Sequence, residues 1–287
     1  MELTNPSVIR EIRKKFGFDF KKAYGQNFLT SASVLEDICR AASGADGILE
    51  IGPGFGTLTA ALAGSFKKVA AIEVDNRLPE VLAYTLSEFD NVEIISGDCM
   101  KMDIRGVIQD CFGDMTVSVA ANLPYYITTP VITMLLEGRL PLSKIVVMVQ
   151  KEVAERLTAS PGGKDYGAIS VLCNYFTESS VASVVPASCF VPQPKVDSAV
   201  VSMTLREIPA ASPVDERLFF RVVKAAFAQR RKTLLNCLSS GFGADKRQME
   251  LLLRSAGIDP SRRGETLSTK EFALISDSIS GGSAVEK

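Results

Sequence analysis

Ile48-Leu49-Glu50-Ile51-Gly52-Pro53-Gly54-Phe55-Gly56 leads from a short apolar strand into a glycine turn, and Thr57 to Ala63 continues as a helix. A strand, glycine turn and helix in that order make a nucleotide-handling corner of an open α/β sheet. The next apolar run, Val69 to Ile72, ends in Glu73, about twenty residues past the turn, where a carboxylate accepts both hydroxyls of a ribose. The turn discriminates between cofactors. A dinucleotide fingerprint requires a third glycine at position 57, which is Thr57 here, and Pro53 removes an amide donor from a loop that would cradle a pyrophosphate. The loop therefore fits a cofactor without phosphates. S-adenosylmethionine offers an adenosine, a sulfonium and an amino acid, and glycines at 52 and 54 let the backbone approach its methionyl part.

Downstream, Val92 to Ser96 reads as a third strand closed by Gly97-Asp98. Asp98 either accepts from an adenine amino group, with the amide of the next residue or two donating to the ring, or caps the helix that follows. Thr116 to Ala121 is a fourth strand, and Asn122-Leu123-Pro124-Tyr125 sits at its carboxyl end, where open α/β sheets place ligands. Pro124 biases Leu123 away from helical angles, so the carbonyls around the turn are expected to point outward together beside the Asn122 amide. With Tyr125 as a flat face, the turn suits a planar base bearing an exocyclic amino group. The competing reading is an ordinary strand-ending turn.

Val131 to Leu136 and Lys151 to Thr158 read as helices around a strand at Ile145 to Val149. After the break at Ser160-Pro161-Gly162-Gly163, the runs Ile169 to Phe176 and Val181 to Pro186 read as two strands. The proline-pinned loop Cys189 to Lys195 is expected to hold Phe190 out of the core, and Val196 to Leu205 is the final strand. Strands alternating with helices predict a mostly parallel, doubly wound sheet. Beyond the linker at Ile208 to Pro213 the chain reads as helical. One helix is expected over 217 to 238, with Leu218, Val222, Leu234 and Leu238 inward and Arg221, Lys224, Arg231 and Lys232 on another side that suits phosphate or solvent. Ser268 and Glu271 predict a capping box for a last helix.

Composition narrows the chemistry. The 287 residues contain no histidine, which removes the commonest general base, the usual catalytic triads and the zinc deaminase signature together. Six cysteines without short paired spacing predict reduced thiols and no metal site, and no apolar run reaches membrane-spanning length. With no secretory leader legible at Met1 to Arg13, the expectation is a cytoplasmic protein. The net charge of −1 hides two basic clusters, Arg10 to Lys22 and Arg217 to Gly243. Each reads equally as a nucleic-acid contact or a solvated face.

Taken together, Gly25-Gln26-Asn27-Phe28-Leu29, Glu50 to Gly54, Glu73, Gly97-Asp98, Asn122 to Tyr125, Val149 to Val153, Phe190 to Val196, and Ala226-Phe227 with Arg230 to Leu234 resemble the KsgA/RsmA family of ribosomal RNA adenine N6,N6-dimethyltransferases. The resemblance covers about residues 20 to 275. It implies a Rossmann-like class I methyltransferase with a seven-stranded sheet (residues 1–207) and a small all-α C-terminal domain (208–287) that contacts rRNA. It implies that Asn27, Leu29, Gly52, Gly54, Glu73, Asp98 and Asn122 line an S-adenosylmethionine site, and that Asn122, Leu123, Pro124, Tyr125 and Phe190 hold the target adenine, Tyr125 and Phe190 as a sandwich. Arg221, Lys224, Arg230, Arg231 and Lys232 are the expected RNA contacts. The expected substrate is a pair of adjacent adenosines in a 3′-terminal hairpin loop of 16S rRNA in the small subunit, and the expected state is a monomer. The alternatives are a large-subunit, antibiotic-resistance methyltransferase and a non-catalytic assembly or transcription factor on the same fold. Cys99-Met100 and Arg262-Arg263-Gly264-Glu265 depart slightly from the family pattern.

Overall fold

The computed structural model describes residues 1–17, 27–124 and 126–281. Its backbone divides into two compact units, Met1–Ala154 with Ser179–Leu205, and Glu155–Glu178 with Arg206–Lys287. Residues 155–178 therefore group with the C-terminal helices, although a boundary at 207 leaves them with the sheet.

In the first unit, helix α1 (Pro6–Phe16), strand β1 (Phe28–Leu29) and helix α2 (Ala32–Ala42) precede the alternating core. That core runs β2 (Gly47–Ile51), α3 (Thr57–Ala63), β3 (Lys68–Glu73), α4 (Leu78–Thr85), β4 (Val92–Ser96), α5 (Ile104–Phe112), β5 (Val117–Asn122), α6 (Thr128–Glu137) and β6 (Lys144–Gln150). After α7 (Lys151–Leu157) and α8 (Ala168–Phe176) come β7 (Thr177–Val185), β8 (Phe190–Val191) and β9 (Ser198–Leu205). The seven-stranded sheet has the order β4-β3-β2-β5-β6-β9-β7. The pairs β3 with β4, β2 with β3, β2 with β5 and β5 with β6 are parallel, and β9 is antiparallel to β6. The chain winds outward from β2 to β4 and then restarts on the other side at β5. The crevice beyond the carboxyl ends of β2 and β5 is thus the switch point of the fold.

Every residue of β2 is buried because both faces of a parallel sheet are covered by helices. On one side Val34, Leu35 and Ile38 of α2 and Leu58 and Leu62 of α3 pack with Ile48, Val69, Ala120 and Val146. Another cluster joins Ile9 and Ile12 of α1 to Leu78, Val81 and Leu82 of α4 around Phe55. The basic cluster expected at Arg10 to Lys22 begins on this packed helix, which is capped by Asn5, whose side chain accepts from the Ser7 N–H. Lys21 and Lys22 lie outside the described residues.

Two expectations about elements fail. Ile169 to Phe176 belongs to α8 and is not a strand. Val171, Leu172, Cys173, Tyr175 and Phe176 are buried nearly all round the helix, and periodicity cannot separate such a run from a buried strand. The expected helix over 217 to 238 is also broken. It comprises α9 (Glu216–Ala226) and α10 (Leu234–Phe242), followed by α11 (Lys246–Ser255) and α12 (Thr269–Gly281). The N–H groups of Leu234 and Leu235, which a continuous helix would use internally, donate instead to the carbonyls of Arg262 and Pro260. Nearby, a Cβ on Gly264 would meet the Ala226 carbonyl at 2.9 Å, so the 260–264 segment needs glycine to come this close. Tertiary hydrogen bonds thus replace helical ones.

The grouping of residues 155–178 with the C-terminal helices has a physical cause in the aromatic side chains. Tyr175 lies 4.9 Å from Phe219 and 5.3 Å from Phe220, and its hydroxyl donates to Glu216 at 2.9 Å. The capping box is present: Glu271 N–H donates to Ser268 Oγ at 3.2 Å, and Ser268 N–H donates to Glu271 Oε2 at 2.8 Å. No helix among the described residues is long and apolar enough to cross a membrane.

Candidate active site

At the switch point a cavity of about 400 Å³ is lined by Asn27, Leu29, Gly52, Gly54, Glu73, Asp98 and Asn122, with Leu123 and Pro124 at the end of β5. All seven residues expected to bind cofactor therefore surround one space. Gly52 has φ +75° and Gly54 has φ +58°, a left-handed backbone that glycine adopts without strain. A Cβ on Gly54 would also press on the Phe28 ring at 3.2 Å, and that ring is itself held by stacking on Phe55 at 4.4 Å.

Glu73 is buried at the end of β3, and each of its oxygens already accepts one backbone N–H: Asp75 at 2.8 Å and Gly54 at 3.3 Å. A carboxylate offers about four acceptor positions, so two remain for a diol, and the glycine turn is tied to the same group. Burial raises the Glu73 pKa, and these two N–H groups oppose the rise. Asp98 does not cap a helix, since α5 is capped by Asp103. It holds a tight turn in which its Oδ1 accepts from the Met100 N–H at 3.0 Å, and Lys101 Nζ lies 3.3 Å from its Oδ2. The Met100 amide is thereby used within the protein and does not serve an adenine ring.

Asn122 ends β5 half-buried, and its Nδ2 donates to the Asn27 carbonyl at 3.2 Å. That contact orients the amide and turns Oδ1 the other way as the acceptor. The expected pair of outward carbonyls is corrected in one respect: the Pro124 carbonyl accepts from the Ile127 N–H at 3.1 Å, closing a turn ahead of α6. Tyr125 lies outside the described residues, and its neighbour Tyr126 lines the cavity with 61% of its surface exposed. Phe190 is not held out of the core. It is 3% exposed, lies in β8 opposite Leu29 of β1, and packs in the cluster that holds Val34 and Ile38. The two-residue ladder between β1 and β8 draws it inward, so in this conformation it offers no face to a base.

Sequence reasoning passed over Glu50. It is a charged residue in the middle of an otherwise apolar strand, which was the signal available. Glu50 is 1% exposed and lines the cavity, and its Oε2 has no hydrogen-bond partner. Burial pushes its pKa up to about 8; the nearby Thr59 hydroxyl lowers it somewhat without a well-formed hydrogen bond, and Glu73 raises it. The native state therefore keeps a proton that the unfolded chain loses near its ordinary value of 4.5. Between these values the group costs stability as pH rises, by up to about 1.4 kcal/mol per pH unit. Glu50→Gln is expected to remove this part of the slope in the ligand-free protein. Thermal unfolding at pH 5 and pH 8 checks it: the variant should gain on wild type as pH rises, and a constant difference contradicts the assignment.

Four acids, Glu50, Glu73, Asp75 and Asp98, line this cavity, and among the described residues no lysine or arginine does. Asp75 is paired with Arg77 (Nε to Oδ1 2.9 Å) and Asp98 with Lys101, so the charge left over is modest, but a wall of acids still favours a cationic ligand over a phosphate. S-adenosylmethionine, which has no phosphate and carries one net positive charge on its sulfonium, meets this test.

In the second unit, Arg221 and Lys224 are exposed on α9, and the Arg221 guanidinium lies 4.4 Å over the Phe242 ring. Arg230, Arg231 and Lys232 are exposed in the turn between α9 and α10, which takes Arg231 and Lys232 off the helical face expected for them. Arg230 donates to the Lys164 carbonyl at 2.6 Å and lies 3.9 Å from Glu265.

The profile of the ribosomal RNA adenine dimethylase family matches residues 17–280. Two bacterial proteins, each named ribosomal RNA small subunit methyltransferase A, are 50% identical to this chain. One, from Geobacillus thermodenitrificans, aligns over 284 residues, 97% of both chains. The other, from Shouchella clausii, aligns over 283 residues, 97% of this chain and 96% of its own. Among solved structures, a dimethyladenosine transferase from Plasmodium falciparum superposes with TM-score 0.72 and 25% identity, covering 90% of this chain and 100% of that one. The 23S rRNA methyltransferase ErmE follows with TM-score 0.67 and 23% identity over 88% of this chain and 100% of its own, a likeness of fold. With its sheet order, its glycine turn and a family match spanning most of its length, this chain belongs to the ribosomal RNA adenine dimethylase family.

Proposed function

We propose that the protein transfers methyl groups from S-adenosylmethionine to N6 of two adjacent adenosines in a 3′-terminal hairpin loop of 16S rRNA within the small subunit, and that it acts as a monomer in the cytoplasm. The observation that carries the reading is the acid-lined cavity, free of cationic side chains among the described residues, at the carboxyl ends of β2, β3 and β5, with the Asn122 amide at its edge. When bound, S-adenosylmethionine supplies an electrophilic methyl group on a sulfonium. The chain's own residues position the nucleophile. Asn122 Oδ1 accepts an N6 hydrogen, and Tyr125 is the residue assigned to stack on the base. Holding the amino hydrogens turns the N6 lone pair toward the methyl group; this orientation, with exclusion of water, is the protein's contribution to rate. N6 so held would take the methyl group that the sulfonium would supply, its sulfur keeping the bonding pair, and the amine made cationic would give its proton to water, with no protein base required. A chain without histidine is suited to this order of events.

Labelled S-adenosylmethionine offered in parallel with unmethylated small subunits, large subunits and naked RNA tests the substrate. Label in small subunits supports the reading; label confined to large subunits, or none, overturns it.

The exposed cations Arg221, Lys224, Arg230, Arg231 and Lys232 are assigned to RNA phosphates. Replacing Arg231 and Lys232 with Ala is expected to lower affinity for the small subunit and to flatten its dependence on log salt by about one unit of slope per lost contact. Cofactor affinity should stay unchanged. A salt titration superposable on wild type would make this turn a solvated surface only.

A further inference from the structure

Glu50 has no assigned role, although it is a buried acid on the wall of a cavity that must tell a cation from its neutral product. We propose that Glu50 is a proton-linked specificity determinant, ionised while the sulfonium donor is bound and reprotonated when the thioether product takes its place, so that the protein holds donor more tightly than product. This rests on the proposed methyl-transfer reading.

The argument begins with solvation. Glu50 stands in the middle of β2, opposite Ala71 of β3 and Ala120 of β5, so neither neighbouring strand offers it a polar side chain at its own level. Its Oε2 is inaccessible to water and has no hydrogen-bond partner. The groups facing it are Glu73 from β3, the Thr59 hydroxyl from α3 and the Cys39 thiol from α2, whose own pKa is raised by burial and further by Glu50. No cation among the described residues lines the cavity to neutralise it. A carboxyl so placed keeps its proton near neutral pH until a positive charge enters the cavity.

The donor and product differ by one methyl group and the positive charge that comes with it. Both carry an ammonium and a carboxylate, and only the donor adds a sulfonium. A unit charge within roughly 10 Å, at an effective dielectric near 20, changes an acid dissociation constant by about tenfold. Binding the donor therefore shifts Glu50 toward its ionised form and releases part of a proton near pH 7, which Glu50 takes back after the methyl group and its charge have left for the base. Two backbone N–H groups on Glu73 oppose the rise that burial gives its pKa, whereas Glu50 Oε2 has no such partner, so Glu50 is the acid that responds more strongly.

Calorimetric titration of S-adenosylmethionine and S-adenosylhomocysteine at pH 7, in two buffers of different ionisation enthalpy, counts the protons directly. Wild type should release about 0.4 proton with the donor beyond what it releases with the product. The ratio of product to donor dissociation constants should rise several-fold, up to about tenfold, between pH 6 and pH 8.5. In Glu50→Gln, shown to be folded by its melting transition, both the excess release and the pH dependence of the ratio should vanish. Equal proton release by the two ligands in wild type overturns the proposal even if the variant does not fold. A difference that persists in Glu50→Gln also overturns it. Failure of wild type to bind either ligand is a distinct outcome, and it removes the methyltransferase reading beneath the proposal.

Discussion

Asn122→Ala is expected to cut methyl transfer by at least about a hundredfold, the scale for losing one oriented transition-state hydrogen bond. Adenine N6 is a weak nucleophile because its lone pair is shared with the ring, so the acceptor that holds its hydrogens determines whether that pair faces the methyl group. Asn122 is placed for this by the end of β5 and by the bond from its Nδ2 to the Asn27 carbonyl. Truncation removes the acceptor and also the tie to Asn27. The antiparallel pairing of Phe28 with Val191 and Leu29 with Phe190 still holds that segment in place, so cofactor affinity should fall only a few-fold. Single-turnover transfer to small subunits at saturating donor, beside calorimetric donor binding, separates the two effects. Turnover near wild type would make Asn122 a structural strand end.

Glu73→Ala is expected to weaken donor binding by about 1–3 kcal/mol, through loss of a charged acceptor for the ribose hydroxyls. The geometry adds a second cost, since Gly54 and Asp75 lose the acceptor of their N–H groups and the glycine turn loses its anchor. Glu73→Gln is an informative partner. One of its amide positions is a donor, which would face either the Gly54 or the Asp75 N–H, so conserving shape should restore little. Calorimetry giving either variant a dissociation constant within twofold of wild type would remove Glu73 from the ribose site.

Much of the sheet and one wall of the site were legible because their signals are local. Gly52, Gly54 and Glu73 sit at fixed distances from strand ends, and a missing third glycine together with Pro53 can be read without any tertiary knowledge. What failed depended on contacts distant in sequence. α8 is buried nearly all round and so shows no helical stripe. α9 and α10 are separated by the 260–264 segment, which takes over their backbone hydrogen bonds. Phe190 lies inward because it pairs in β8 with Leu29 of the two-residue strand β1, 161 positions earlier, and the adjoining Thr30 N–H also reaches the Cys189 carbonyl at 2.8 Å. Glu50 was visible as an acid in an apolar strand, but its isolation from partners is a property of three dimensions.

The most direct measurement is mass spectrometry of nucleosides from small subunits that lack the modification, after incubation with the protein and S-adenosylmethionine. N6,N6-dimethyladenosine should appear at both adjacent adenosines of the 3′-terminal hairpin, and it should be nearly absent with Asn122→Ala. Wild-type protein that binds the donor yet leaves those adenosines unmethylated, or an Asn122→Ala variant that dimethylates them fully, would contradict the account.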